Sequence, residues 1–192
     1  MKTFGVYKMI NYPQFLFATP PRTGIAWGLD VFKLAGFGEK DCAFARIPFS
    51  YNEDKMKLRV SIVRHPCGWL RSLFCAIKSG TFDFSSNGMS ILSSLSNLWN
   101  FSSFVEEYLR KFPGYISFIF SQYQSDTCMR LEDMPWAMVE FLESLGISGK
   151  VLDEIRTLPK RNVSSNLPIW DMDLRKKVLQ AEKEYAERYD YY

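Results

Sequence analysis

Thr19-Pro-Pro-Arg-Thr-Gly-Ile-Ala-Trp27 follows directly on the apolar run Phe15-Leu-Phe-Ala18 and leads into Ile25 to Leu34, whose apolar residues recur at helical intervals up to Gly36. The pattern reads as a strand, a tight turn and a helix. A second candidate strand, Cys42 to Ile47, leads into a polar loop at Tyr51 to Lys57. The unit then recurs. Leu58-Arg-Val-Ser-Ile-Val63 stops at Arg64-His-Pro66, and Pro66 suits the first turn of a helix carrying Trp69, Leu70, Leu73, Phe74 and Ile77. Alternating strands and helices joined by short turns predict an α/β fold, a three-layer α/β/α arrangement with a central parallel sheet, forming one domain over residues 1–192. In such sheets ligands gather at the carboxyl ends of strands, which is where both turns fall.

Downstream, Ser79 to Asn100 is rich in serine and glycine, with Asn87-Gly88 as a turn signal. It reads as a long surface loop or a short mobile helix, suited to a lid or to acceptor binding. Ser103-x-x-Glu106 offers a capping box for a helix to about Lys111. The aromatic stretch Tyr115 to Tyr123 fits helix or strand. Thr127 to Leu131 reads as a strand, and the helix after it, capped by Asp133 with Pro135 in its first turn, runs to Leu145. Val151 to Leu158 is a shorter helix, and Asp171 to Tyr189 a long charged one with a solvated Lys/Glu face.

At 47% hydrophobic and 23% charged, 192 residues fill a real core, which excludes disordered and low-complexity classes. A net charge of +3 without a long basic run gives no reason to expect nucleic acid or an anionic membrane as partner, and leaves a local anion site open. Cys42, Cys67, Cys75 and Cys128 never approach C-x-x-C spacing and His65 is the only histidine, so no metal site is expected. The thiols read as free, in a reducing compartment. Met1 to Gln14 has no signal-peptide core and no run is long enough to span a bilayer, so the expectation is a soluble, cytoplasmic protein. With 16 Phe, 10 Tyr and 5 Trp, exposed rings are expected to serve either a homo-oligomer face or a sugar-stacking surface.

The chemistry sits in the two turns. A strand that turns sharply into a helix directs backbone N–H groups at one spot, the helix dipole adds to them, and the Arg22 cation completes a cradle for phosphate or sulfate. A generic turn with a surface arginine is the alternative. Ile25 stands where an ATP-binding P-loop needs lysine, and a Walker-type ATPase is disfavoured. Arg64 ends the next strand unit and Ser72 lies eight residues later, so both can face the same sheet edge. Two anion sites on adjacent strand ends suit a ligand with two separated phosphates. Trp69 reads either as an adenine-stacking ring or as core.

These residues resemble a known family. Pro21-Arg-Thr-Gly-x-x-Trp27 resembles the 5′-phosphosulfate loop of the sulfotransferases that use 3′-phosphoadenosine 5′-phosphosulfate, and Val63-Arg-His-Pro-x-x-x-x-Arg-Ser72 resembles their 3′-phosphate motif. Arg130-Leu-Glu-Asp-Met134 is similar to the family's late strand ending in an acidic pair, and Asn162-x-Ser164 before the closing helix is similar to the end of its bacterial and Golgi-type members. The resemblance covers roughly residues 15–192. It implies a P-loop NTPase-like sulfotransferase fold. It also implies that Arg22, Thr23, Gly24, Ile25, Ala26 and Trp27 hold the 5′-phosphosulfate, that Arg64 and Ser72 bind the 3′-phosphate, and that Lys160 and Arg161 lend it further charge. The implied reaction is in-line sulfuryl transfer to a hydroxyl or amine of a small-molecule or carbohydrate acceptor, leaving 3′,5′-bisphosphoadenosine, without a metal.

The sequence also departs from the family. Ile25 and Ala26 stand where members usually carry Ser or Thr, and Arg22 where many have lysine. The family's general base is a histidine or glutamate near the second strand, and Glu53, beside Asp54, is the candidate here, against a merely solvated turn. Two alternatives stay open: a nucleotide-binding protein that has lost catalysis, and a nucleotide-kinase-type phosphotransferase, which the missing lysine-hydroxyl pair counts against.

Overall fold

Strands β1 (Met9–Asn11), β2 (Phe15–Ala18), β3 (Leu58–Val63) and β4 (Thr127–Arg130) lie side by side in that order in the computed structural model, which describes residues 9–12, 14–37, 57–85, 89–159 and 166–192. β2, β3 and β4 run parallel, with Phe15 opposite Leu58 and Val63 opposite Arg130, whereas β1 is antiparallel to β2. The expected parallel sheet is therefore present as β2, β3 and β4, with the antiparallel β1 added at one edge. The candidate strand Cys42 to Ile47, Asn87-Gly88 and the Asn162-x-Ser164 stretch lie outside the described residues.

β2 is buried along its whole length, and the two-residue period of a strand divides its side chains between two cores. Phe15 and Phe17 join Val60, Ile62 and Met129 on one face, against α1 (Ile25–Leu34), α5 (Trp136–Ser144) and α6 (Lys150–Thr157). Leu16, Ala18 and Val63 point the other way, into a larger cluster. That cluster carries α2 (Pro66–Lys78), α3 (Phe101–Lys111), α4 (Tyr115–Ser121), α7 (Met172–Ala181) and α8 (Lys183–Arg188). Helices thus pack on both faces of a small α/β sheet. None of the described helices is long and apolar enough to cross a membrane.

Local signals were mostly honoured, with instructive exceptions. Asn100, not Ser103, caps α3, its side chain accepting from the Ser103 N–H at 3.1 Å. An Asn with extended backbone three residues earlier captures the Ser103 N–H, the donor that the capping box assigns to the Glu106 side chain. Asp133 does not cap α5. Leu131–Asp133 forms a short 3-10 turn, Asp133 pairs with Arg130 at 2.6 Å, and Pro135 precedes the first helical residue. The aromatic stretch resolves as helix, because Ile116, Ile119 and Phe120 recur on one buried face. Within the serine-rich segment, Ser90–Leu95 forms a 3-10 helix whose Leu92 and Leu95 are fully buried.

The closing helix is broken between α7 and α8 at Glu182, which is fully buried rather than part of a solvated face. Its carboxylate accepts from the Ser117 N–H at 2.8 Å, the Ser117 hydroxyl at 2.7 Å and the Tyr108 hydroxyl at 2.5 Å, tying α3, α4 and the C-terminal helices together. Replacing it with Ala leaves these donors buried without an acceptor. Glu182→Ala is expected to cost about 3 kcal/mol or more, read as a lowered urea midpoint, whereas Glu184→Ala on the exposed face is expected to change stability by less than about 0.5 kcal/mol.

Candidate functional site

The turn after β2 is built from within. The Thr19 hydroxyl donates to the Ile62 carbonyl of β3 at 2.7 Å, and the Thr23 hydroxyl donates to Pro20 O at 2.5 Å and meets Thr19 Oγ1. Both threonines are buried, so the Thr23 hydroxyl is engaged beneath the loop. Gly24 precedes α1 at φ +85°, a backbone conformation that favours glycine, and a Cβ there would stand 2.7 Å from Leu131 Cδ1 and displace the end of that side chain. No side chain caps α1, and its first turn starts directly at the cavity residues Ile25, Ala26 and Trp27.

Arg22 also lies in the left-handed region, at φ +70°, a costly conformation for a side chain with a Cβ. The neighbouring β3–α2 segment holds it there. Trp69 Nε1 donates to Pro21 O at 2.9 Å, Arg64 Nη1 donates to Arg22 O at 2.9 Å, and Arg22 Nε donates to the Ser72 hydroxyl at 3.1 Å. Trp69 is thus a fully buried anchor of the loop, which settles its role as core. The two turns expected to bind two anions are physically one construction.

The β3–α2 turn has its own supports. The Tyr185 hydroxyl bridges the Arg64 backbone, accepting from its N–H at 3.1 Å and donating to its carbonyl at 2.9 Å. Glu132 accepts from the His65 N–H at 3.0 Å and from the Tyr191 hydroxyl at 3.2 Å. Gly68 lets the Arg64 side chain cross α2, since a Cβ there would lie 3.3 Å from Arg64 Nε and 3.7 Å from Glu132 Oε1. The Cys67 N–H donates to His65 Nδ1 at 3.1 Å, so His65 caps α2 and is not poised as a base. Burial pushes the Cys67 thiol up to about 12, despite the nearby Arg175, and the thiol stays protonated.

Above these elements opens a cavity of about 510 Å³, lined on one wall by Arg22, Arg64, Arg71 and Ser72 and on another by Leu131, Met134, Pro135 and Leu158. Burial draws both the Arg22 and Arg64 guanidinium groups below their ordinary value. Glu132 pulls Arg64 back up, and Arg22 and Arg71 push it further down. Both remain cations, and an incoming anion relieves their mutual repulsion. Glu132 is the carboxylate on this wall among the described residues, and its hydrogen bonds to His65 and Tyr191 make it a fixed counter-charge for Arg64. The indole N–H of Trp27 is buried and has no hydrogen-bond partner, although Trp27 lines the cavity. The arrangement presents guanidinium groups, a hydroxyl and the uncapped start of a helix beside apolar side chains, donors suited to an anionic group.

Of the site residues expected from sequence, Arg22, Gly24, Ile25, Ala26, Trp27, Arg64 and Ser72 line this cavity, whereas Thr23 lies under it. Glu53, Lys160 and Arg161 lie outside the described residues. Arg71, Glu132 and Arg156 were missed. Arg71 was findable, because it stands beside Ser72 in the motif quoted from the sequence and lies three residues beyond Gly68 on α2. Arg156 comes from α6 and carried no local signal. Compared with known proteins, the chain matches no family model, no curated protein and no solved structure.

Because the His65 cap needs a neutral imidazole, stability depends on pH. Burial lowers the His65 pKa in the folded state, with Glu132 opposing. The unfolded chain therefore binds the proton more readily, and the contribution is complete above about pH 6.5 and lost as pH falls through the lower folded value. Urea unfolding between pH 5 and 7.5 is expected to fall less steeply on acidification in His65→Asn, which caps without titrating.

Proposed function

We propose that the chain is a sulfotransferase dependent on 3′-phosphoadenosine 5′-phosphosulfate, with a three-layer P-loop-type fold, acting on a hydroxyl or amine of a small-molecule or carbohydrate acceptor. The observation that carries this reading is the meeting of Arg22 and Arg64, from the carboxyl ends of two paired parallel strands, in one cavity with Ser72 and the uncapped start of α1. On this reading the 5′-phosphosulfate lies on the first turn of α1 beside Arg22, and the 3′-phosphate lies against Arg64 and Ser72. The apolar wall of Leu131, Met134 and Pro135 takes the adenosine between them.

The acceptor oxygen or nitrogen attacks sulfur, the bond from sulfur to the bridging oxygen of the 5′-phosphate breaks, and the electron pair leaves with 3′,5′-bisphosphoadenosine. The acceptor proton passes to a base, for which Glu53 is the proposed group. Arg22 and the α1 N–H groups stabilise the charge that grows on the leaving phosphate, acting from a partly desolvated, prearranged position.

A second reading has its own observation. Ile25 and Ala26 line the cavity with no hydroxyl to offer the sulfuryl group, which favours a protein that binds the nucleotide without transferring sulfuryl. Calorimetric titration tests both. Micromolar 3′,5′-bisphosphoadenosine binding, little ATP binding and a loss of about ten- to hundredfold in Arg64→Ala are expected. Labelled sulfuryl transfer, abolished in Arg22→Ala, then separates the enzyme from the binding protein. Absence of nucleotide binding at millimolar concentration would sink both readings.

A further inference from the structure

Arg64, Gly68, Arg71 and Ser72 recur at helical spacing along the β3–α2 segment, and all four line the cavity. Arg71 differs from the other arginines there. Arg22 donates to Ser72, Arg64 donates to Arg22 O, and Arg156 is paired with Asp153 at 2.5 Å and Glu143 at 3.5 Å. Arg71 and Arg156 each have a buried Nε with no hydrogen-bond partner, but Arg156 is neutralised by its two carboxylates, whereas no carboxylate among the described residues pairs with Arg71. A guanidinium NH removed from water and left without an acceptor is costly unless a ligand supplies one.

The electrostatics say which end of the cavity Arg71 serves. Its charge acts on Arg64, His65 and Cys67, around the start of α2, and is absent from the causes that shift Arg22. Arg64 already has Glu132 beside it as a fixed counter-charge. With Arg64 already facing Glu132, Arg71 supplies the uncompensated positive charge at this end together with an orphan N–H, and a phosphomonoester brings both negative charge and three acceptor oxygens.

We infer that Arg71 completes a two-guanidinium site with Arg64 for a terminal phosphomonoester, and that it supplies the positive charge and the free N–H donor that Glu132 leaves unanswered there. The inference rests on the nucleotide reading above, in which that group is the 3′-phosphate. Arg71 thereby becomes a specificity determinant for 3′-phosphorylated nucleotides over those that carry phosphate at the 5′ position alone.

The test is calorimetric titration of the full chain, wild type, Arg71→Gln and Arg71→Lys, with 3′,5′-bisphosphoadenosine, adenosine 3′-phosphate and adenosine 5′-phosphate. The expected result is a loss of about ten- to hundredfold for the two 3′-phosphorylated ligands in Arg71→Gln, a change of less than about threefold for the 5′-phosphate, and partial recovery in Arg71→Lys. Retained binding of the 5′-phosphate also reports an intact fold. Equal losses for all three ligands, or none for any, would overturn the assignment of Arg71 while leaving the nucleotide reading standing. A wild-type protein that binds none of the three overturns the nucleotide reading and this inference together.

Discussion

The parallel pairing of β2 with β3 is the constraint on which the rest depends. With Phe15 opposite Leu58 and Phe17 opposite Val60, the two strands end at the same edge, so the turns that follow them must share one space. The Thr19 hydroxyl on the Ile62 carbonyl extends that pairing one step beyond the ladder. An antiparallel pair would have sent Arg22 and Arg64 to opposite edges of the sheet. The parallel one lets α2 hold the first turn through Trp69, Ser72 and Arg64, and so keeps Arg22 in a conformation that a loop alone would not maintain.

Charge is arranged with the same economy. Cations gather on one wall, while the carboxylate that faces them, Glu132, is held from behind by His65 and Tyr191. Glu132 offsets part of that positive charge while its oxygens accept from the His65 N–H and the Tyr191 hydroxyl. The C-terminal segment is therefore part of the site's support. Tyr185 fixes both backbone groups of Arg64, and Tyr191 fixes its counter-charge. Glu182 in turn ties that segment to α3 and α4, so the buried carboxylate network and the arginine-lined wall are connected through the C-terminal helices.

The apolar run Phe15 to Ala18, the recurrence of strand and helix at Leu58, and Pro66 before a helical pattern were enough to give β2, α1, β3 and α2, because each is decided by periodicity and a strong local stop. Arg22, Arg64 and Ser72 were legible for the same reason, as they sit at fixed offsets from those stops. Capping was less legible. Ser103-x-x-Glu106 has the form of a capping box, yet Asn100, with extended backbone, is the residue that caps α3. β1 was not legible either, because a three-residue strand is defined by its partner more than by its own residues.

What the sequence by itself determined is the set of elements and the chemistry of two turns, since these follow from residues close in the chain. What only the tertiary structure decided is which distant groups meet: Trp69 with Pro21, Glu132 with His65, Tyr185 with Arg64, Glu182 with Tyr108, and Arg71 turned into the cavity without an acceptor. These contacts join residues up to 121 positions apart, and nothing in local propensity encodes them. They are chosen by the packing of helices on a sheet whose pairing is already fixed, and by the cost of leaving a buried donor or charge without a partner.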